Sequence, residues 1–374
     1  FPEFIGEWDV TNFGNISSIK RGASPRPISS PKWFDKDSSV GWVRISDVTK
    51  SKKYLKKTEQ YLSEDGINRS RKVDKGNLIM SICATIGKPI YTNFNVCIHD
   101  GFIVFDSLSE DKGFIYYLLE KIQKKWYRYG QPGTQVNLNS DIVSSEIFSI
   151  PTKPEQQKIA AFLAAVDSKI EQLSKKQELL GEYKKGSMQQ IFSQAIRFKA
   201  DDGSEFPDWE EKKLRDVAKI TTGSSNREDS GLDGQYTFFD RSEDIRTSDR
   251  YLFDGKAVIV AGEGSRFPPK YFEGKFDLHQ RTYAIMEFVE ANSKYIFYFV
   301  DKQKNYLLRY AVGSTVKSLR LPIFQKMPVS LPSLPEQTKI ANFLSSIDNK
   351  IEQVGGQLDK SKQFKKALLQ QMFV

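Results

Sequence analysis

The chain has 374 residues, enough for two ordinary domains with their own cores, and its 56 Lys and Arg against 47 Asp and Glu leave a formal net charge of +9. Cys83 and Cys97 lie in apolar, strand-like contexts with neither zinc spacing nor disulfide-scaffold density, and no apolar run approaches the roughly 20 residues that cross a bilayer. A soluble protein of the reducing cytoplasm is expected, with no membrane partner, and the basic excess favours a polyanion such as nucleic acid.

Residues 1–150 open with EWDVTNFGNISSIKRG at 7–22 and continue as short β-like runs such as GWVRIS, GNLIMSI and FIVFD, separated by Gly, Pro, Asn and Asp turns. A helical pattern follows over 115–127. From Pro151 the period changes: Ile159, Leu163, Val166, Ile170, Leu173 and Leu180 form a heptad-like seam, so 151–192 reads as one long helix. Pro151 and Pro154 stand where a helix can begin but not continue, and Glu155 in the first turn complements the dipole.

After a linker at 193–205, residues 206–331 begin again with a tryptophan-led segment, DWEEKKLRDVAKITTG at 208–223, followed by β-like runs such as AVIVAG and TYAIME and a helical pattern over 296–310. Residues 332–374 then carry a second seam, Ile340, Leu344, Ile347, Ile351, Val354 and Leu358. Gly355 and Gly356 stand where the first helix has Ser174 and Lys175, and each glycine costs about 1 kcal/mol relative to alanine, so a bend is expected there.

The chain is a duplication. Segments 151–192 and 332–373 align without a gap, with 19 identities in 42 pairs, and the two histidines, His99 and His279, fall opposite each other. The middles of the two halves have no convincing counterpart in each other. The expected fold is α+β: two mixed α/β units joined by two long helices. The first helix leaves one unit and the second returns, so they run antiparallel, and some 39 residues make a rod of roughly 58 Å. Two related modules at a set distance suit a ligand that itself repeats, such as duplex DNA.

The doubled PxxPEQxKIAxFLxxxDxKIEQ segments at 151 and 332, the FPxW-like openings at Phe1 and Phe206 and the order variable domain, helix, variable domain, helix resemble the specificity subunit of type I restriction-modification enzymes. The resemblance implies a non-catalytic subunit with target-recognition domains at 1–150 and 206–331 and spacer helices at 151–192 and 332–374. Each domain would read one half of a split double-stranded DNA site. The helices would dock two modification subunits that methylate adenine, with restriction subunits adding ATP-dependent cleavage. S-adenosylmethionine, ATP and Mg would belong to those partners, and this chain would hold no cofactor, metal or catalytic residue. Consistent with that division, TIGKP at 85–89 lacks the P-loop hydroxyl and glycine spacing, RFPPKY at 266–271 lacks the polar residue of a methyltransferase tetrapeptide, and PDWEEKK at 207–213 reads as a domain opening rather than a nuclease motif.

Candidate DNA contacts are donor-rich loops and arginines: Lys20, Arg21, Arg26 and Arg44; Arg128 and Tyr129 with the following Thr134, Gln135 and Asn137; Ser225, Asn226 and Arg227; Arg266 and Arg281; and Arg309 and Tyr310 with Ser314, Thr315 and Lys317. For the paired Arg128 and Arg309 segments two readings stand, a phosphate or guanine contact and a brace closing the domain against its helix. His99 and His279 read as satisfied polar residues at strand ends. Lys184 and Lys365 fall on the apolar stripe, setting register, facing a partner or snorkelling. Phe162, Tyr183, Phe343 and Phe364 are the candidate contacts for the modification subunits.

Overall fold

The structure is a computed structural model that describes residues 1, 3–129, 138–242 and 244–373. It divides into two compact units, the first comprising Phe1–Leu173 with Gln357–Val374 and the second Ser174–Gly356. Each unit is an α/β domain with part of each long helix. Both long helices form as their seams require, Lys153–Phe192 and Leu334–Gln371. Helical hydrogen bonding continues through Gly355 and Gly356, flanked by the buried Val354 and Leu358, so the glycines do not end the second helix.

The first unit opens and closes with one antiparallel pair, Asp9–Asn12 against Ile147–Ile150. Inside this clasp, a five-stranded sheet runs in the order Ser18–Arg21, Phe102–Asp106, Leu78–Ser81, Pro89–Thr92, Tyr54–Leu55, and a four-stranded sheet in the order Gln60–Tyr61, Gly41–Val43, Val96–Ile98, Arg71–Val73. The larger sheet packs on the helix Lys112–Ile122, whose Phe114, Ile115, Tyr117 and Leu118 are buried with Ile159, Leu163 and Leu368 of the long helices. The helix expected over 115–127 is therefore shifted and ends in a tighter turn, Gln123–Tyr129. Cys97 lies on a strand, and burial pushes its thiol up to about 12, whereas Cys83 lies in a turn rather than a strand.

The second unit repeats the clasp with Glu210–Lys213 against Pro328–Leu331. Its sheet has six strands, in the order Lys219–Thr222, Thr282–Met286, Phe253–Ala261, Lys270–Leu278, Tyr236–Phe239, Arg246–Ser248. The helical pattern over 296–310 is two helices, Ser293–Lys302 and Lys304–Tyr310.

The divergent middles share one hairpin. In the second unit Phe253–Ala261 pairs with Lys270–Leu278 continuously, with Gly255 facing Gly274, both at φ +130°. In the first unit the same hairpin is cut in two. Arg71 pairs with Ile98 and Leu78 with Tyr91, so seven residues forward on one side are seven back on the other, and one register persists across the break. At the break, Lys75 N donates to Asn95 Oδ1 (3.0 Å) and Gly76 takes a left-handed φ of +85°.

Candidate nucleic-acid interface

Two kinds of polar construction stand out, one at the foot of each long helix and one at the tip of each hairpin. At the feet, the repeated PEQ segment has a physical reason. Gln156 is buried, accepts from Asp111 N (3.0 Å) through Oε1 and donates to Pro151 O (2.8 Å), which ties the helix start to the domain. Gln337 does the same with Asn292 N (2.7 Å) and Pro332 O (2.8 Å). Directly before Gln337, fully buried Glu336 accepts from Arg197 Nη2 (2.8 Å) and Trp209 Nε1 (3.1 Å).

Further along, Tyr117 donates to Asp167 Oδ2 (2.7 Å) while Lys365 Nζ pairs with Asp167 Oδ1 (2.8 Å) and with Glu120 (2.7 Å). In the second unit Tyr298 donates to Asp348 Oδ2 (2.7 Å) and Lys184 pairs with Asp348 Oδ1 (2.6 Å). Lys184 and Lys365 each also lie over a tyrosine ring, at 5.1 Å from Tyr298 and 5.3 Å from Tyr117. Both lysines thus register the helices. Burial pushes the Tyr117 and Tyr298 hydroxyls up, so they remain donors to the carboxylates.

The tip of each hairpin is completed by the histidine turn that follows its second strand and lies against the start of its connecting loop, Gly101 O accepting from Ile82 N (2.9 Å) and Arg281 O from Gly262 N (2.8 Å). Gly101 N donates to His99 Nδ1 (2.8 Å) and Phe102 N to His99 O (3.0 Å); Arg281 N donates to His279 Nδ1 (3.0 Å) and Thr282 N to His279 O (3.0 Å). Burial, the largest influence, pulls both histidines below their ordinary pKa, which keeps Nδ1 free to accept. Gly22 and Gly223 press the neighbouring loop onto the turn. A Cβ there would fall 2.0 Å from His99 O or 1.6 Å from Leu278 O, so no other residue fits without moving backbone.

What the tips present differs. In the first unit Ser24 donates to Asp100 Oδ1 (2.7 Å), Arg26 lies 3.8 Å from Asp100 Oδ2 and Arg21 Nε donates to Asp100 O (2.8 Å). In the second, Gln280 donates to Asn226 Oδ1 (2.5 Å), Arg227 lies 3.9 Å from Asp240 and the carboxylate of Glu263 stands between Arg241 (2.6 Å) and Arg281. Burial raises the Glu263 pKa, but the hydrogen bonds from Arg281 and Arg241 outweigh it and hold the carboxyl below its usual range. A cavity of about 210 Å³ opens alongside, lined by Arg241, Glu263, Arg266 and Lys270 among others. Lys317–Ser318 pairs with Glu263–Gly264, bringing Lys317 to the same edge.

The sequence candidates therefore sort unevenly. Arg21, Arg26, Asn226, Arg227, Arg266, Arg281 and Lys317 gather around the tips, while Ser314 and Thr315 are exposed on the loop before Lys317. Lys20 pairs with Asp106 on a sheet edge, and Arg44 caps a short helix and donates to Gln60 (3.2 Å). Ser225 is a correction. Its side chain is wholly buried, donating to Asp277 Oδ1 (2.6 Å) and accepting from Arg250 (2.8 Å), so it supports the loop from within and touches nothing outside. Arg128 and Tyr129 both bind buried Glu146 (3.4 and 3.0 Å), which favours the bracing reading, whereas Arg309 and Tyr310 are exposed. Thr134, Gln135 and Asn137 lie outside the described residues.

On the helices, Tyr183 and Phe364 each expose about half their surface, at 55% and 51%. Phe162 meets Phe1 edge-on (6.1 Å), and Phe343 is half covered by Phe198 (5.7 Å) and Tyr183 (6.3 Å). Asp100, Arg241, Arg250 and Glu263 escaped the sequence reading because their partners come from distant segments; of these four, Asp100 alone carried a local signal, its place directly after His99.

The profile of the family described as "Type I restriction modification DNA specificity domain" matches residues 5–180 and again 207–360. The chain belongs to this family. It is 31% identical over 166 residues to the type I restriction enzyme EcoDI specificity subunit of Escherichia coli, covering 43% of this chain and 37% of that one. With the MjaVIII specificity subunit of Methanocaldococcus jannaschii it shares 26% identity over 275 residues, 65% of this chain and 64% of that one. These matches thus span between about a third and two thirds of the relatives' own length. The fold is similar to the crystal structure of the type I restriction-modification S subunit from M. genitalium, with a TM-score of 0.66 and 14% identity over 98% of this chain and 96% of that one. Among the described residues, no helix is long and apolar enough to cross a membrane, and no cluster of three or more His, Cys, Asp or Glu could hold a metal ion.

Proposed function

We propose that this chain is the DNA sequence-specificity subunit of a type I restriction-modification complex, binding a bipartite, asymmetric double-stranded site and performing no catalysis itself. One observation carries the reading: two domains hold the same histidine turn in the same place by the same hydrogen bonds, yet offer different side chains from it. A repeated frame with unlike tips suits a ligand with two unlike half-sites. The exposed Tyr183 and Phe364, at matching places on the two helices, support docking of two modification subunits, which would hold S-adenosylmethionine; restriction subunits would bring ATP and Mg.

The test is single-molecule mapping of methylated adenines in cellular DNA, with and without this chain alongside its modification partner. A split motif is expected only when the chain is present, and exchanging residues 206–331 should change one half of it. If no methylation depends on the chain although the partner still co-purifies, it is an assembly scaffold and the recognition reading falls. Docking is tested separately: Tyr183→Ala with Phe364→Ala should abolish co-purification, and unchanged co-purification excludes that face.

A further inference from the structure

We propose that Arg281, held by Glu263 opposite Arg241, is the guanine-reading residue of the second domain; this rests on the DNA-recognition reading above. The Arg281 side chain is 60% exposed, and its backbone is fixed by the bond from its own N–H to His279 Nδ1. Glu263 engages Nη1, and among the described residues no hydrogen bond takes up its other side-chain donors, Nε and Nη2. Two parallel donors on a rigid plane match O6 and N7 of guanine.

A phosphate site would be poorly served by this arrangement, because the carboxylate repels a phosphate while a base edge carries only partial charge. The same carboxylate orients the fork before DNA arrives, which removes the cost of ordering a long side chain on binding. The first domain cannot copy the device. Its equivalent residue is Gly101, where even a Cβ would fall 2.5 Å from Cys83 Sγ and from His99 Cε1. The two half-sites should therefore differ at the base that this position faces.

The experiment selects bound sequences from randomised duplex DNA with the complex of this chain and its modification subunits, comparing wild type with Arg281→Ala, Arg281→Lys and Glu263→Gln. Thermal melting of each variant shows that it is folded. The expected result is a guanine preference at one position of one half-site that falls roughly 5- to 150-fold in Arg281→Ala. Arg281→Lys should also lose it, Glu263→Gln should lose part of it, and the other half-site should stay intact. If Arg281→Ala weakens all sequences equally and flattens the salt dependence by about one unit, the residue is a phosphate contact and the proposal is overturned while DNA recognition stands. If the wild-type complex selects no split motif, the recognition reading fails and takes the proposal with it.

Discussion

The feet of the two long helices and the tips of the two hairpins obey opposite rules. At the feet, Gln156 and Gln337, Asp167 and Asp348, and Tyr117 and Tyr298 repeat the same bonds to within a few tenths of an ångström. At the tips the histidine turn repeats but the side chains around it do not, and Asp100 stands where the other domain has Gln280. Burial explains the contrast. A buried polar group must find its partner or cost the fold dearly, whereas an exposed one is solvated whatever it is, so the tips are free to differ.

The sharpest way to break the comparison is Arg197→Met. It strands the fully buried Glu336 carboxylate and should destabilise the second unit by about 3–5 kcal/mol. Hydrogen exchange should show the loss in residues 334–345 and leave the first unit's helix foot protected. Next come the two seam lysines. Lys365 serves two carboxylates and Lys184 one, so Lys365→Met should cost about 2–3 kcal/mol and Lys184→Met visibly less in denaturant titrations; equal losses would contradict the assigned pairings.

Glycine substitution sharpens the same point inside one helix. A Cβ on Gly356 meets open space, so Gly356→Ala should stabilise by about 1 kcal/mol, while on Gly355 it meets Gln177 Nε2 at 2.9 Å and the gain should shrink. The smallest effect is at the tips. Both histidines are held below 6.5, so the unfolded chain binds protons that the folded chain refuses. Their contribution is complete above pH 6.5 and declines as pH falls through the window beneath it. His99→Asn with His279→Asn keeps a side-chain acceptor for the turn and should flatten the melting temperature between pH 7 and 5.5.

The feet were legible in the sequence because a seam and a PEQ segment are local patterns, and repetition makes them conspicuous. Lys184 and Lys365 were visible as anomalies on that seam, though their acidic partners were not. The hairpin shared by the middles was hidden because pairing constrains register and alternation rather than identity, and one copy is broken at Gly76. Arg241, Glu263 and Arg281 come from three strands or strand ends, and no spacing rule joins them. Ser225 misled because a hydroxyl in a turn-rich loop looks the same whether it faces water or, as here, a buried aspartate.

The clasp strands have a wider consequence. Each domain begins and ends on neighbouring hydrogen-bonded strands, Asp9 facing Ile150 and Glu210 facing Leu331, so its two chain crossings lie side by side. Topologically, each domain is an excursion that returns to its point of departure. An excursion of different length or sequence leaves the helices undisturbed provided its last strand still pairs with its first and it keeps the short helix whose Tyr117 or Tyr298 bonds to the long helices. A recombining gene could therefore replace the sheets inside one clasp in a single event and inherit a working scaffold.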